Sequence, residues 1–218
     1  MKPHISPTPA PEDPHPYAER ILHAARERVF TRSNPVFTMD DLAGDLGMSK
    51  KTIYQFFPGK DAILGAIVES MGRSIHSQLE AIVSDESLRC PEKLSKAIGC
   101  VGLRLSKVSP TLLRILKREA PAVYQRMEEL RRRNIPHFFG RILESGKHDG
   151  TLRGEVDTGF AAELWFHAIR GLMDPETLDR TQRTPQQTLQ DAAAIFFQGV
   201  LSESGRALYR ETLNKKAP

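Results

Sequence analysis

The chain has 218 residues, and its 31 Lys and Arg against 27 Asp and Glu leave a formal net charge of +4. This small excess permits a polyanionic partner without requiring one. The sequence has no apolar run near the ~20 residues of a membrane-spanning helix and no apolar segment typical of a signal peptide. Cys90 and Cys100 form neither a CxxC pair nor a disulfide framework. We therefore expect a cytoplasmic protein with no membrane partner.

The chain begins with a proline-rich segment, residues 1–16, which holds six prolines. Because proline removes amide donors and blocks helix formation, we expect this segment to be a disordered tail. From Tyr17 the pattern changes, and Ile21, Ala25 and Val29 recur at helical spacing. The sequence therefore predicts a first amphipathic helix, which "SNP" at residues 33–35 ends.

Two short helices joined by a tight turn are predicted next. Thr38 and Asp41 have the spacing of a capping box, and Gly47 can adopt the positive φ that ends a helix. Ser49 is a good N-cap for the following helix, which Pro58 terminates. The pattern is typical of a helix-turn-helix unit, in which the second helix enters the major groove of DNA.

The helix over "KKTIYQFF", residues 50–57, has one apolar and one polar side. At 100° per residue Ile53, Phe56 and Phe57 share an arc, while Lys51 and Gln55 point away from it. The sequence predicts that this polar side faces either DNA or solvent, and these residues alone do not decide between the two.

Everything after Lys60 has the pattern of longer helices, without sustained period-two alternation. A fourth helix is predicted from Lys60 toward Ile82, and Gly205 is predicted to be the C-terminal cap of the last one. The remaining helices are predicted at residues 94–108, 110–119, 121–145, 157–172 and 185–204. The prediction is an all-α protein of about nine helices.

The segment "TMDDLAGDLGMSKKTIYQFFPGKDAIL", residues 38–64, resembles the DNA-binding signature of the TetR family of bacterial transcriptional regulators. The resemblance implies that Lys50, Lys51 and Gln55 face the operator and that Thr52 and Tyr54 contact phosphates. It also implies backbone contacts from the two N-caps and from the start of the fourth helix, namely Thr38, Ser49 and Lys60. The chain departs from the family at "SNP", where a Gly is usual after the first helix, and at Pro58, where a Lys or similar residue is usual.

The resemblance implies a division of the chain into a tail at 1–16, a DNA-binding domain at 17–64 and an effector-binding and dimerisation domain at 65–218. Residues 17–61 hold seven basic and six acidic side chains, so affinity for DNA has to come from their placement. Because a two-fold pair doubles the phosphate contacts, we expect a homodimer on palindromic double-stranded DNA.

Two apolar stripes in the C-terminal half are candidates for the dimer interface. The first includes Leu164 and Ala168, and the second includes Leu189, Ala193, Phe196 and Val200. The resemblance favours a four-helix interface made by both stripes and their symmetry mates. The alternative is that each stripe closes the core of its own subunit.

An effector cavity among the central helices is also implied by the resemblance. Pro136 lies inside a helical pattern, where it should free the Arg132 carbonyl and kink the helix. The residues expected to line the cavity are Tyr124, Met127, Asn134, Phe138 and Trp165. Such residues more often form an ordinary core, and the class of the small-molecule effector is not predicted.

Two alternative functions are an enzyme and a DNA-binding protein without an effector. The histidines lack metal-ligand spacing such as HxxxH, and no phosphate-binding loop or nucleophile elbow is present, so neither a metal, a cofactor nor catalysis is expected. The second rival is an effector-independent or architectural DNA-binding protein of the same fold. The leading prediction is a homodimeric repressor released by a small molecule.

Overall fold

A computed structural model describes residues 15–31 and 37–214 of the chain. These residues form eleven α-helices and no strand. The helices are α1 (Pro16–Thr31), α2 (Met39–Leu46), α3 (Lys50–Phe56), α4 (Lys60–Ser84), α5 (Cys90–Leu105), α6 (Pro110–Glu119), α7 (Pro121–His148), α8 (Thr158–Leu172), α9 (Pro175–Thr181), α10 (Pro185–Val200) and α11 (Glu203–Asn214). The all-α prediction is confirmed, whereas the predicted disordered tail and the "SNP" stop lie almost wholly outside the described residues.

Helices α1–α3 and the first half of α4 share one apolar core. Ile21 and Ala25 of α1, Leu42 of α2, Ile53 of α3 and Ile63 of α4 are all fully buried in it. Helices α2 and α3, with 8 and 7 residues, are too short to be stable alone, so packing against α1 and α4 holds them in place. The second half of α4 leaves this core and enters a second one.

The ends of the two short helices follow the predicted local signals. The Thr38 hydroxyl accepts the Asp41 N–H at 3.1 Å, and the Asp41 carboxylate accepts the Thr38 N–H at 2.7 Å, which completes a capping box. Gly47 ends α2 with a φ of 61°, and Ser49 Oγ accepts the Thr52 N–H at 3.1 Å to cap α3. These local bonds define where α2 begins and ends and where α3 begins.

The second core lies among α4, α5, α7, α8, α10 and α11. Its centre is aromatic: the Phe139 ring stacks on Trp165 at 5.2 Å, and Phe197 lies 5.7 Å from the same indole. Helix α7 continues through Pro136 to His148, because packing on both α4 and α8 supports the backbone there. No helix of the described residues is both long and apolar enough to cross a bilayer.

The sequence prediction missed two helices, α9 and α11. Gly205 does not cap α10, which ends at Val200; it lies in the first turn of α11. Leu201 is extended and forms an isolated antiparallel bridge with Leu152, while the Ser202 N–H donates to the Thr151 carbonyl at 2.9 Å. This pairing with a distant loop turns the chain away from α10, which a local pattern could not predict.

Candidate functional site

Helix α3 exposes one side to solvent and buries the other. Ile53 is fully buried and Phe57 is 9% exposed, so the apolar arc anchors the helix in the N-terminal core. On the opposite side Lys51 and Gln55 are exposed, and Tyr54 is 49% exposed. The polar side predicted from the sequence is therefore free of intrachain packing and available to a partner.

The hydroxyl groups near the start of α3 form a small hydrogen-bonded group. Ser49 Oγ lies 2.9 Å from Thr52 Oγ1, and Ser49 is exposed while Thr52 is half-buried. Thr38 is exposed at the start of α2. Both helix N-termini thus carry hydroxyls beside backbone amides, an arrangement that suits contact with phosphate oxygens.

Lys50 makes a contact that the sequence analysis did not predict. Its Nζ lies 2.9 Å from the Asp40 carboxylate, and the two side chains are 53% and 71% exposed. The hydrogen bond to this carboxylate raises the pKa of Lys50. A negative charge therefore lies at the edge of the polar side of α3 and competes with phosphate for Lys50.

Lys60 is held at the start of α4 by an aromatic ring. Its Nζ lies 5.2 Å from the centroid of the Phe37 ring, and Phe37 is only 2% exposed. This cation–π contact keeps the ammonium group near the first turn of α4 without neutralising its charge.

Two arginines of α1 serve the structure of the unit. Arg28 donates to the Asp45 carboxylate at 2.7 Å and to the Asp41 carbonyl at 3.2 Å, which ties α1 to α2. Arg26 donates to Ser70 Oγ at 2.6 Å and ties α1 to α4. The small basic excess of this region is therefore not all available to DNA.

A cavity of about 250 Å³ lies between the two cores. Its wall begins at Val29 and Phe30 of α1, follows α4 and α7, and ends near Trp165 of α8 and Leu189 of α10. Among the described residues that line it, Arg131 and Asn134 supply the only charged and amide side chains. Such a mostly apolar space with few polar groups is typical of a small-molecule site.

Four of the five residues predicted to line a cavity do so: Met127, Asn134, Phe138 and Trp165. Tyr124 does not line it, because its ring packs against the N-terminal core, where burial raises the pKa of the phenol. The sequence analysis missed the walls that α4 and α5 supply, for example Met71 and Val101. Their apolar periodicity is the same for a cavity wall as for a filled core.

Comparison with known proteins agrees with this architecture. The family described as "Bacterial regulatory proteins, tetR family" matches residues 21–67, which span α1 to the first part of α4. An HTH-type transcriptional regulator of Bacillus subtilis, YvaF, is 24% identical over 185 residues, which cover 85% of this chain and 96% of YvaF. The N-terminal unit of the chain is therefore similar to the TetR family of bacterial regulatory proteins.

Two solved structures share the fold of this chain over most of its length. A transcriptional regulator from Cytophaga hutchinsonii superposes with a TM-score of 0.65 at 18% identity, covering 85% of this chain and 99% of that one. SmeT, the repressor of the Stenotrophomonas maltophilia multidrug efflux pump SmeDEF, gives a TM-score of 0.62 at 17% identity, covering 85% and 91%. SmeT has also been solved as a complex with triclosan.

The predicted dimer residues of this chain fall into two groups. Leu189 and Ala193 are buried within the subunit, at 4% and 1% exposure, and Val200 is 9% exposed. Leu164 is 49% exposed, whereas Ala168 and Phe196 are half-buried. The α10 stripe thus closes the core of its own subunit, because the larger apolar arc of that helix packs inward.

Helices α8 and α10 carry exposed apolar side chains that the sequence analysis did not select. Phe160 is 70% exposed and Ile195 is 77% exposed. Phe160 lies one helical turn before the exposed Leu164 on α8, and Ile195 lies next to the half-buried Phe196 on α10. Their neighbours along each helix are also mostly apolar, so the sequence does not show which of these side chains remain exposed.

Proposed function

We propose that this chain is a TetR family regulator, a homodimeric, sequence-specific repressor that a small molecule in the central cavity releases from DNA. The observation that carries the proposal is the shared position of α1. Val29 and Phe30 of this helix line the cavity, while Ile21 and Ala25 pack in the core that anchors α3. One helix therefore contacts both the space for a ligand and the unit that carries the DNA-facing side chains.

The roles at DNA follow from the geometry of α3. Lys51 and Gln55 are exposed at the centre of its polar side, where they can reach base edges in the major groove. Tyr54 and Thr52 flank them and are assigned to phosphates. The outer backbone contacts are assigned to Thr38, Ser49, Lys50 and Lys60. The DNA-binding domain is taken as residues 17–64, and the remainder as the effector and dimerisation domain.

A homodimer is proposed for two physical reasons. One subunit offers few cations to DNA, and a two-fold pair doubles both the phosphate contacts and the base contacts on a palindromic operator. The exposed apolar side chains of α8 and α10 supply a face that a second copy can cover. This face is defined by Phe160, Leu164, Ala168, Ile195 and Phe196 and is called the α8–α10 face below.

Release requires that a ligand favour one arrangement of the DNA-binding units over another. A molecule in the cavity contacts Phe30 of α1 and Met71 of α4 on one side and Phe138 of α7 on the other. A rotation of α1 and α4 against α7 changes the separation of the two α3 helices in the dimer. A change of a few ångströms is enough to lose one of two half-sites set one helical turn apart. The triclosan complex of SmeT, a repressor of the same fold, supports a small molecule as the trigger.

The proposal is tested by selecting bound duplexes from a random pool with the purified dimer. A palindromic consensus is expected, with half-sites about 34–36 Å apart. On that duplex Lys51→Ala or Gln55→Ala should lower the preference over random DNA by ~1–3 kcal/mol, whereas Tyr54→Phe should weaken binding to all duplexes similarly.

Lys96→Ala is the control for these variants, because Lys96 is equally exposed but lies on α5. Its affinity and selectivity should match those of the unmodified protein. Equal losses on selected and random DNA for all three α3 variants would contradict the assigned roles, and the absence of any enriched sequence would contradict the function itself.

A further inference from the structure

Asn134 is one of the two charged or amide residues on the mostly apolar wall of the central cavity, among the described residues. It is only 9% exposed and lines the central cavity from α7. Within residues 15–31 and 37–214 its side-chain amide makes no hydrogen bond. Because its amide is unpaired without being completely buried, it is free to bond to a molecule that enters the cavity.

Arg131 is the second polar residue of the cavity, one helical turn before Asn134. Its guanidinium forms an ion pair with the Glu128 carboxylate, which also lies 3.6 Å from Arg170. The side chains of Arg131 and Glu128 are only 17% and 23% exposed, so the pair is partly shielded from solvent. The charge of Arg131 is therefore already compensated, and the carboxylate beside it would repel a buried anion.

The size and shape of the cavity limit the ligand further. A protein cavity of roughly 150 Å³ holds a benzene molecule, so the 250 Å³ here fits about ten non-hydrogen atoms. The cavity extends from Val29 of α1 to Leu189 of α10, which favours an elongated molecule over a compact one. The remaining wall is aliphatic and aromatic, so the rest of the ligand has to be apolar.

We propose that the central cavity takes an uncharged, elongated, mostly apolar molecule with one carbonyl or hydroxyl group that hydrogen-bonds to the Asn134 amide. This inference rests on the proposed function only in making that molecule the effector. A carboxylate of equal length is disfavoured, because no uncompensated cation on the cavity wall of the described residues offsets the loss of its hydration.

Binding can be followed directly, because Trp165 is the single tryptophan of the chain and lines the cavity. The full-length protein is titrated at pH 7.4 with 2-decanone, 1-decanol, decanoate and decane, and the indole fluorescence is recorded. We expect 2-decanone and 1-decanol to bind at least about tenfold more tightly than decanoate, which is ionised at this pH. Tighter binding of decanoate, or no binding of any of the four, overturns the proposal.

The role of the amide is tested by Asn134→Leu, with Gln125→Leu as the control, since Gln125 is an exposed amide on the same helix. Asn134→Leu should weaken 2-decanone about tenfold, as expected for one lost hydrogen bond in a dry site, and leave decane unchanged or tighter. The control should alter neither. Unchanged affinity of Asn134→Leu for the ketone overturns the proposal.

A second variant keeps the test valid if Asn134→Leu folds poorly. Ala97 lines the cavity from α5, so Ala97→Phe should fill it and abolish binding of all four compounds. Retained binding in Ala97→Phe overturns the assignment of the site. Release of the selected duplex is measured separately. Binding of 2-decanone without release of the duplex refutes the proposed induction alone. Release by decanoate but not by 2-decanone refutes the ligand class alone.

Discussion

The pairing of Lys50 with Asp40 leads to a prediction about the salt dependence of DNA binding. The two side chains are exposed at the edge of α3, with 2.9 Å between Nζ and the carboxylate oxygen. Asp40→Asn removes the carboxylate but keeps the size of the side chain, so Lys50 becomes free to contact phosphate. We expect tighter binding at low salt, although removal of an acidic residue from the first turn of α2 slightly destabilises that helix.

The magnitude follows from counterion release. Each phosphate contact adds about −0.9 to the slope of log affinity against log salt concentration. Two subunits gain one contact each, so the slope should steepen by about 1.8. On halving the salt concentration, the affinity of the variant should therefore rise about 3.5-fold more than that of the unmodified protein.

The assay is fluorescence anisotropy of the selected operator duplex at several salt concentrations from about 50 to 400 mM, a range in which such slopes are well resolved. Glu203→Gln is the matched control, because Glu203 is an exposed acidic residue in the first turn of α11, within the C-terminal half. In a Lys50→Ala background Asp40→Asn should lose most of its effect. An unchanged slope for Asp40→Asn alone would refute the assignment of Lys50 to the DNA backbone.

Three further predictions concern assembly, packing and ionisation. Ile195→Asp on the α8–α10 face should raise the dimer dissociation constant by about 10²–10⁴, because burying one Ile per subunit contributes ~1.5–3 kcal/mol. The control is Leu103→Asp on α5, where Leu103 is 68% exposed; this variant should leave the sedimentation of the dimer unchanged. Gly205→Ala should lower the free energy of unfolding by ~1–3 kcal/mol in denaturant titrations, because the added Cβ would lie 2.1 Å from the Thr151 carbonyl oxygen. Gly65→Ala in α4 has open space around the added Cβ, so it should raise the free energy of unfolding by about 0.5–1 kcal/mol. Burial raises the pKa of the Cys90 thiol to about 12, against ~8.5 in an unfolded chain, so alkylation at pH 8 should require denaturant. Because the folded state holds the Cys90 proton more tightly, this thiol leaves the free energy of unfolding unchanged below pH ~8.5 and lowers it as the pH rises toward 12. Rapid alkylation of native Cys90 would contradict both statements.

The parts of the fold that local chemistry determines were predictable from the sequence. The capping box at Thr38, the positive φ of Gly47 and the Ser49 cap involve residues at most three positions apart, and all three are present. The same holds for α3, where seven residues are enough to define a buried arc around Ile53 and an exposed side around Lys51. Short-range signals are reliable where the competing interactions are also short-range.

Several of the errors involve contacts between different helices or loops. The end of α10 depends on Leu201 pairing with Leu152, which lies 49 residues earlier. The inward orientation of Leu189 depends on the central cavity that it lines. The contact of Lys50 with Asp40 depends on the angle between α2 and α3. A helical wheel contains none of this information, because it describes one helix without its neighbours.

The position of α1 between the cavity and the DNA-facing unit constrains how such a protein can diversify. Val29 and Phe30 border the cavity, and four residues earlier Ala25 is fully buried beneath α3. A substitution that changes the cavity at this wall also disturbs the core in which α3 packs. Natural variants with a new inducer are therefore expected to accumulate their changes on α5 and α7, and to leave α1 almost untouched.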